Sequence, residues 1–185
     1  MRFFLILFIS TCVLEAQSFP RNEVTFSGGD SFQVFTPFVE ANTAVSLGGT
    51  YGYRFTPHIT AEAGVFGVID PFPPECSYSG CLGQDNRFIQ VPFGMKFTLP
   101  LRHDRFELSA GGGGLYQRFS VSNPNSDFGE TGYGAWGGYF KASAGVAIDR
   151  RKRLWLSATP RWNLANSGGI RDRWFMLTGD LTFRF

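Results

Sequence analysis

The chain ends with RWFMLTGDLTFRF, residues 173–185. Alternate positions form two sets: one is apolar except for a single glycine, and the other is mostly polar. This alternation is the pattern of a β-strand with one apolar face. The first set is Phe175, Leu177, Gly179, Leu181, Phe183 and Phe185, and the second is Trp174, Met176, Thr178, Asp180, Thr182 and Arg184. An open apolar edge strand invites aggregation in water. This strand therefore favours the closing position of a barrel in a membrane.

The terminal strand resembles the last strand of small outer-membrane β-barrel proteins of Gram-negative bacteria, which commonly ends in Phe. The resemblance is to OmpA-like or OmpX-like eight-stranded barrels, and it covers the chain after its leader. It implies location in the bacterial outer membrane, with membrane lipid as a partner. It also implies that the barrel-assembly machinery reads the terminal strand through Phe175, Leu177, Leu181, Phe183 and Phe185.

The amino terminus predicts a secretory signal peptide. One positive charge, Arg2, precedes a short apolar run, and Ala16 is the predicted cleavage position. The run is too short for the roughly 20 apolar residues that a spanning helix needs. A lipoprotein cut before Cys12 is an alternative, although Thr11 is a poor residue at that position. We therefore predict a signal peptide at 1–16 and an outer-membrane β-barrel domain at 17–185.

The two-residue period returns seven more times. The predicted strands are 23–32, 43–55, 59–69, 87–99, 106–119, 133–148, 154–164 and 173–185. Eight consecutive strands predict an all-β fold, an eight-stranded antiparallel up-and-down transmembrane β-barrel. The connections at 56–58, 100–105 and 149–153 are short, whereas those at 35–42, 70–86, 120–132 and 165–172 are mostly longer. This sorting is typical of periplasmic turns and outer loops.

Composition narrows the class further. The net charge is only +2, which gives no reason to expect nucleic acid as a partner. The 23 Gly and 21 Phe suit small lumen residues and a lipid-facing belt. Alternation alone does not distinguish this arrangement from a secreted soluble β-barrel with its apolar face inside.

In the membrane orientation, eight charged side chains point into the lumen. They are Arg54, Glu62, Lys96, Glu107, Lys141, Arg161, Asp180 and Arg184. One hypothesis is a ladder of opposite charges on neighbouring strands, with Glu62 between Arg54 and Lys96, and Asp180 beside Arg161. The other hypothesis is a hydrated lumen that tolerates scattered charges. Inward glycines, among them Gly48 and Gly52, leave space for a narrow channel.

Four local features break the strand pattern. Pro92 and Pro160 each remove a ladder donor, so we expect bulges there. The four glycines at 111–114 indicate a bend in the fifth strand or room for larger side chains to cross the lumen. The basic run at 150–153 is interpreted as a solvated periplasmic turn that can also touch anionic lipid headgroups.

Cys76 and Cys81 lie close together in the second outer loop and predict a disulfide in an exported protein. Without a histidine or a third cysteine beside them, a metal site is not expected. Some eight-stranded outer-membrane barrels are lipid A deacylases or palmitoyltransferases, whose chemistry needs histidine near serine at the outer rim. His58 and His103 fall in predicted periplasmic turns, and Thr60 rather than serine follows His58 at two residues. We therefore expect neither enzymatic activity nor a cofactor.

These observations predict a non-enzymatic integral outer-membrane β-barrel protein, monomeric, that is structural or presents surface loops. One alternative function is a narrow channel for small solutes, and another is an adhesion or immune-evasion factor. A secreted soluble β-barrel binding protein is a further alternative. The sequence names no extracellular ligand.

Overall fold

The computed structural model describes residues 19–33, 43–69, 76–77, 80–81, 85–101, 105–122, 130–167 and 170–185. Its strands are β1 (Asn22–Gln33), β2 (Thr43–Arg54), β3 (Ile59–Ile69), β4 (Cys76–Ser77), β5 (Gly80–Cys81), β6 (Asp85–Leu101), β7 (Phe106–Ser122), β8 (Glu130–Ala147), β9 (Leu154–Ser167) and β10 (Ile170–Arg184). The predicted signal peptide lies outside the described residues. Across the described ranges, no helix has the length and apolarity that membrane crossing requires.

Eight of these strands close into one barrel, in the order β1-β10-β9-β8-β7-β6-β3-β2. Every neighbouring pair is antiparallel, and β1 seals the barrel against β10 with Val24 opposite Phe183. The predicted fold class is confirmed. β4 and β5 form a separate hairpin where the sequence predicted only a loop. Cys76 is the register partner of Cys81 in that hairpin, and the disulfide between them stays a prediction.

The outer wall of the barrel is apolar. Phe93, Phe97, Leu181 and Phe183 expose 45%, 55%, 41% and 45% of their surface, while the intervening Thr182 is buried. A soluble barrel needs the opposite arrangement, because its apolar side chains must leave water. An apolar exterior around a polar interior is the arrangement of a membrane-spanning barrel.

Aromatic pairs lie on the barrel near both ends of the strands. Tyr53 and Phe55 have ring centroids 5.3 Å apart beside the short β2–β3 turn. Tyr116 and Trp136 are 4.9 Å apart towards the opposite end. Amphipathic rings favour the boundary between lipid and water. The positions of the two pairs are those expected for the aromatic girdles of a membrane barrel.

The strands reach further at the outer end than predicted. β7 pairs with β8 up to Ser122 and Glu130, and β9 pairs with β10 up to Ser167 and Ile170. The predicted loops at 120–132 and 165–172 were therefore too long. Polar and small residues indicate a loop when read alone, but a neighbouring strand continues the ladder whatever the side chains are. At 17 and 18 residues, β7 and β8 exceed the roughly 9 to 11 residues that cross a bilayer.

The bulges expected at the two strand prolines do not occur. The β3–β6 register is the same on both sides of Pro92, with Ala63 opposite Phe93 and Phe66 opposite Gln90. The β8–β9 register is likewise unchanged across Pro160. Each proline interrupts pairing with one neighbour, while Pro92–Leu115 and Pro160–Leu177 stay paired with the other. A local gap in one ladder accommodates a missing donor without inserting a residue.

The β8–β9 turn is held by a carboxylate. Asp149 accepts hydrogen bonds from the backbone N–H groups of Leu154, at 2.8 Å, and Arg151, at 3.2 Å. Lys152 follows in the left-handed region with a φ of 55°, and its carbonyl accepts from Trp155 Nε1 at 2.8 Å. A non-glycine residue in this region is unfavourable unless its surroundings hold it there. The Asp149 and Trp155 bonds supply that support.

We expect the Asp149 turn to loosen in acid. The backbone N–H of Leu154 above all, helped by those of Arg153 and Arg151, holds the pKa of Asp149 below its ordinary value of 3.8. Because the folded pKa is depressed, its contribution to stability is complete above about pH 4 and is lost as the pH falls through the folded pKa. The Leu154 amide chemical shift, followed by NMR against pH, should show a midpoint below 3.8. A midpoint at or above 3.8 would contradict the hydrogen bonding.

Candidate functional site in the charged lumen

The eight charged residues predicted to point inward are all buried within the barrel. Each exposes less than a tenth of its surface, and they are Arg54, Glu62, Lys96, Glu107, Lys141, Arg161, Asp180 and Arg184. A ninth, Glu23 on β1, joins them at 2% exposure. Charges buried this far from water need partners. The partners are found in two groups along the barrel axis.

The lower group lies near the short turns. Arg184 Nη2 donates to both carboxylate oxygens of Glu107 at 2.8 Å, and its Nε donates to Glu23 at 3.3 Å. Lys96 forms an ion pair with the same Glu23 carboxylate. The guanidinium of Arg184 also lies 4.4 Å from the ring centroid of Trp155. Glu23 thus joins two cations, and Arg184 joins two carboxylates, in one connected network.

The middle group is centred on Glu62. Its carboxylate accepts hydrogen bonds from Lys141 at 2.7 Å and from the Tyr139 hydroxyl at 2.9 Å. Arg161 places its guanidinium 4.0 Å from the centroid of the Phe66 ring. Cation–π contact offsets part of the cost of burying that charge.

The pairing differs from the ladder that we predicted. Glu62 pairs with Lys141 and Lys96 with Glu23, and in both cases the partner lies three strands away around the barrel. The register neighbours of Glu62 are Gly52 and Gly94. With glycine at both register positions beside it, the Glu62 carboxylate has room to turn towards Lys141. The open space lets the side chain reach across the lumen instead.

The second predicted pair also has other partners. Asp180 accepts hydrogen bonds from Thr159 at 2.6 Å and Thr178 at 2.9 Å, while Arg161 lies over Phe66. A hydroxyl is a sufficient partner for a carboxylate when two of them converge on it.

Double-mutant cycles should separate the two arrangements. We expect the Glu62→Gln and Lys141→Met changes to show a coupling energy of about 2 kcal/mol, because the two groups share a short charge-assisted hydrogen bond. The Arg161→Met and Asp180→Asn changes serve as the matched comparison and should couple by less than about 0.5 kcal/mol. The measurement is reversible urea unfolding in lipid vesicles. Equal coupling in both cycles would show that Arg161 and Asp180 interact across neighbouring strands, as the ladder hypothesis predicts.

Sequence patterning missed two residues of the lumen network. Glu23 was placed in a predicted strand but was not counted among the lumen charges, and Tyr139 was assigned to the inner face without a role. Val24 and Phe26 face outward, and because side chains alternate along a strand, Glu23 must face inward. The glycine pair at 28 and 29 obscured this strand, although its ladders continue past both positions.

The half of the lumen away from the short turns is mainly apolar, whereas we expected polar residues. Five large side chains expose 2% or less: Phe66, Phe88, Leu115, Trp174 and Met176. Phe88 and Trp174 pack with ring centroids 5.0 Å apart. A neutral pair accompanies them, with Asn163 Nδ2 donating to Gln90 Oε1 at 2.7 Å. We name Phe66, Phe88, Leu115, Trp174 and Met176 the apolar plug.

The other predicted site residues lie on the outer wall or at the turns. Leu177, Leu181, Phe183 and Phe185 are exposed on the outer face, and the half-buried Phe175 packs against Trp162 with centroids 5.4 Å apart. His58 Nδ1 lies 3.0 Å from the Thr98 carbonyl oxygen at the short-turn end. His103 lies outside the described residues.

No protein-family model and no curated protein matches the chain. Solved structures match it in fold. Neisserial surface protein A (NspA) has a TM-score of 0.70 at 12% identity, covering 89% of this chain and 97% of that one. Ail, the attachment invasion locus protein of Yersinia pestis, has a TM-score of 0.56 at 10% identity, with coverage of 89% and 99%. The N-terminal β-barrel domain of Pseudomonas aeruginosa OprF has a TM-score of 0.57 at 12% identity, again covering 89% and 99%.

These likenesses show the fold of small outer-membrane β-barrels and confirm the resemblance carried by the terminal strand. The apolar exterior independently requires a lipid environment. Fold and exterior together confirm the predicted location in the bacterial outer membrane.

Proposed function

We propose that this chain is a non-conducting, non-enzymatic outer-membrane barrel that presents its outer connections at the cell surface. The observation that carries the proposal is the apolar plug, whose five side chains expose 2% or less inside the barrel. Eight strands leave an interior only wide enough for side chains or a small ligand. With that width filled by aromatic and aliphatic groups above a network of ion pairs, ions have no hydrated path.

The narrow-channel alternative rested on inward glycines. Their space is occupied by neighbouring side chains: a Cβ on Gly48 would lie 2.6 Å from the Phe66 ring, and one on Gly52 would lie 2.8 Å from Glu23 Cγ. These glycines let large side chains cross the lumen. Gly111 has the same relation to Lys141, at 3.3 Å. Glycine content therefore supports a filled interior.

Planar-bilayer recording tests the closed lumen. We expect the folded wild-type barrel to give no single-channel events under conditions in which a porin control conducts. Regular conductance steps from a heat-modifiable, folded preparation would replace the proposal with the channel alternative.

The length of the strands supports surface presentation. β7 and β8 continue several residues beyond what membrane crossing needs, so their paired ends at Ser122 and Glu130 lie above the bilayer. This feature also favours the second candidate function, an adhesion or evasion factor, since such factors act through loops held away from the membrane. Ail, which shares the fold, is by name an attachment invasion locus protein, and this makes adhesion a concrete candidate for the present barrel.

Surface display can be tested without a known ligand. A short epitope inserted in 123–129 should be labelled by antibody on intact cells, and the same epitope inserted in the β8–β9 turn at 150–151 should be labelled only after permeabilisation. The reverse labelling would contradict the orientation. Replacing 123–129 by a tight turn should leave the barrel folded and heat-modifiable, which then allows cell-adhesion assays on a folded barrel.

Three further assignments complete the proposal. We propose recognition by the barrel-assembly machinery through the apolar side chains at the end of the chain, Phe175, Leu177, Leu181, Phe183 and Phe185. We propose a monomer, because the barrel closes on itself and leaves no unpaired edge strand among its eight described strands. Absence of catalysis is supported by the position of His58 at the periplasmic end, remote from the outer rim.

A further inference from the structure

A cavity of about 350 Å³ opens at the periplasmic mouth of the barrel, below the lumen network. Its walls come from the N-terminal segment, the end of β2, the start of β7, the β8–β9 turn and the end of β10. The charged groups in these walls are Arg54, Glu107, Arg151, Lys152 and Arg184. A volume of this size falls within the range of small-molecule sites. Neither surface presentation nor a closed lumen requires such a cavity.

The charges around this cavity do not balance. Lys96 and Arg184 already engage Glu23 and Glu107. Arg54 is 7% exposed, yet its hydrogen bonds go to two neutral acceptors, the carbonyl oxygens of Pro20 at 3.3 Å and Pro57 at 2.8 Å. A guanidinium has five N–H donors, so these two bonds leave capacity for an anion.

The cationic groups are also held in place. The Arg54 guanidinium lies 5.3 Å from the centroid of the Phe19 ring, and Arg184 lies 4.4 Å from that of Trp155. Stacking on an aromatic face fixes the plane of a guanidinium and reduces the entropy lost when it binds a ligand. Both rings line the cavity. The mouth therefore combines fixed donors, excess positive charge and apolar walls.

We propose that this mouth is a binding site for a phosphate group, held by Arg54 and Arg151, which both line the cavity. A tetrahedral phosphate directs its oxygens in several directions at once, whereas the two oxygens of a carboxylate lie in one plane. The phosphate can come from an anionic lipid headgroup of the inner leaflet or from a soluble periplasmic phosphate ester. The two sources share the chemistry and differ in how they reach the site.

The probe is glycerol 3-phosphate, titrated by calorimetry into the full barrel in phosphatidylcholine nanodiscs. We expect saturable binding. Repeating the titration in nanodiscs with phosphatidylglycerol as one tenth of the lipid distinguishes the sources. If phosphatidylglycerol abolishes the binding of glycerol 3-phosphate, the site binds lipid headgroups. If binding is unchanged, the site binds soluble phosphate esters. No saturable binding in phosphatidylcholine nanodiscs overturns the proposal.

The variants have a matched control in the same turn. Arg54→Gln should weaken binding about tenfold and Arg151→Gln several-fold, as expected for loss of charge-assisted hydrogen bonds. Arg150→Gln removes the same charge from an exposed neighbour that is not part of the cavity wall, and it should leave the affinity unchanged. An equal loss in Arg150→Gln and Arg151→Gln would mean diffuse attraction and no built site. If Arg54→Gln does not fold, the comparison of Arg151→Gln with Arg150→Gln still tests the proposal.

Sodium acetate tests the choice of phosphate over carboxylate. At equal concentration, acetate should displace little glycerol 3-phosphate from the wild-type barrel. Equal competition would overturn the assignment to phosphate.

Discussion

Replacing Glu23 by Gln should lower the free energy of unfolding by about 3 kcal/mol, at the lower end of what removing one partner of a buried ion pair costs. Glu23 contacts both Lys96 and Arg184, so its neutralisation removes the ion pair of Lys96 and leaves Arg184 with Glu107. Reversible urea unfolding in lipid vesicles measures the effect, with heat-modifiable migration as a check on folding.

Asp30→Asn is the control for this change. Asp30 lies on the same strand but is exposed, and its neutralisation should change the free energy of unfolding by no more than about 0.5 kcal/mol. Adding Lys96→Met to Glu23→Gln should recover part of the lost stability, because the second change removes the cation that has lost its ion pair. A Glu23→Gln barrel as stable as wild type would show that lumen water, and not the ion pairs, accommodates these charges.

Removing the apolar plug should make the closed barrel conduct. The variant is Phe66→Ala with Trp174→Ala, which deletes the two largest of the fully buried side chains. Each substitution should also cost about 3 to 5 kcal/mol of stability, as aromatic-to-alanine changes in packed interiors do. Planar-bilayer recording of the folded double variant should show discrete conductance steps that the wild type lacks.

The matched control is Phe140→Ala with Trp136→Ala, which removes a phenylalanine and a tryptophan from the outer wall, where they are 61% and 66% exposed. This control should remain silent in the bilayer. If the inner double variant does not fold, Trp174→Ala alone serves, since it opens the Phe88 contact. A folded plug variant without conductance would place the seal in the ion-pair network below.

Much of this architecture could be predicted from residue spacing. The inward and outward faces of β10 follow from counting in twos from Phe185, and the same count on β6 places Lys96 inside and Phe97 outside. The lumen position of eight charges follows from that alternation once the terminal strand and the sorting of the connections indicate a membrane barrel with its apolar face outward. We wrongly expected all inward positions of a strand to be polar. Phe66 and Trp174 have inward parity, yet they fill the lumen with apolar groups, and parity alone does not exclude this.

The pairing of charges could not be predicted in the same way. Sequence order places Glu62 next to strands carrying Arg54 and Lys96, whereas the structure pairs it with Lys141. The ends of β7 to β10 were also misjudged, because a ladder is stabilised by the partner strand and not only by the strand's own composition. The cavity at the mouth escaped notice since it combines Phe19, Arg54 and Trp155 from segments far apart in the chain.

The sequence by itself determined which side chains share a face of each strand, because a strand alternates its side chains with a period that nothing else in the chain alters. Only the tertiary structure decided which inward groups meet. Closing the sheet brings strands three places apart to opposite sides of a narrow lumen, where long side chains beside glycine reach one another across the axis.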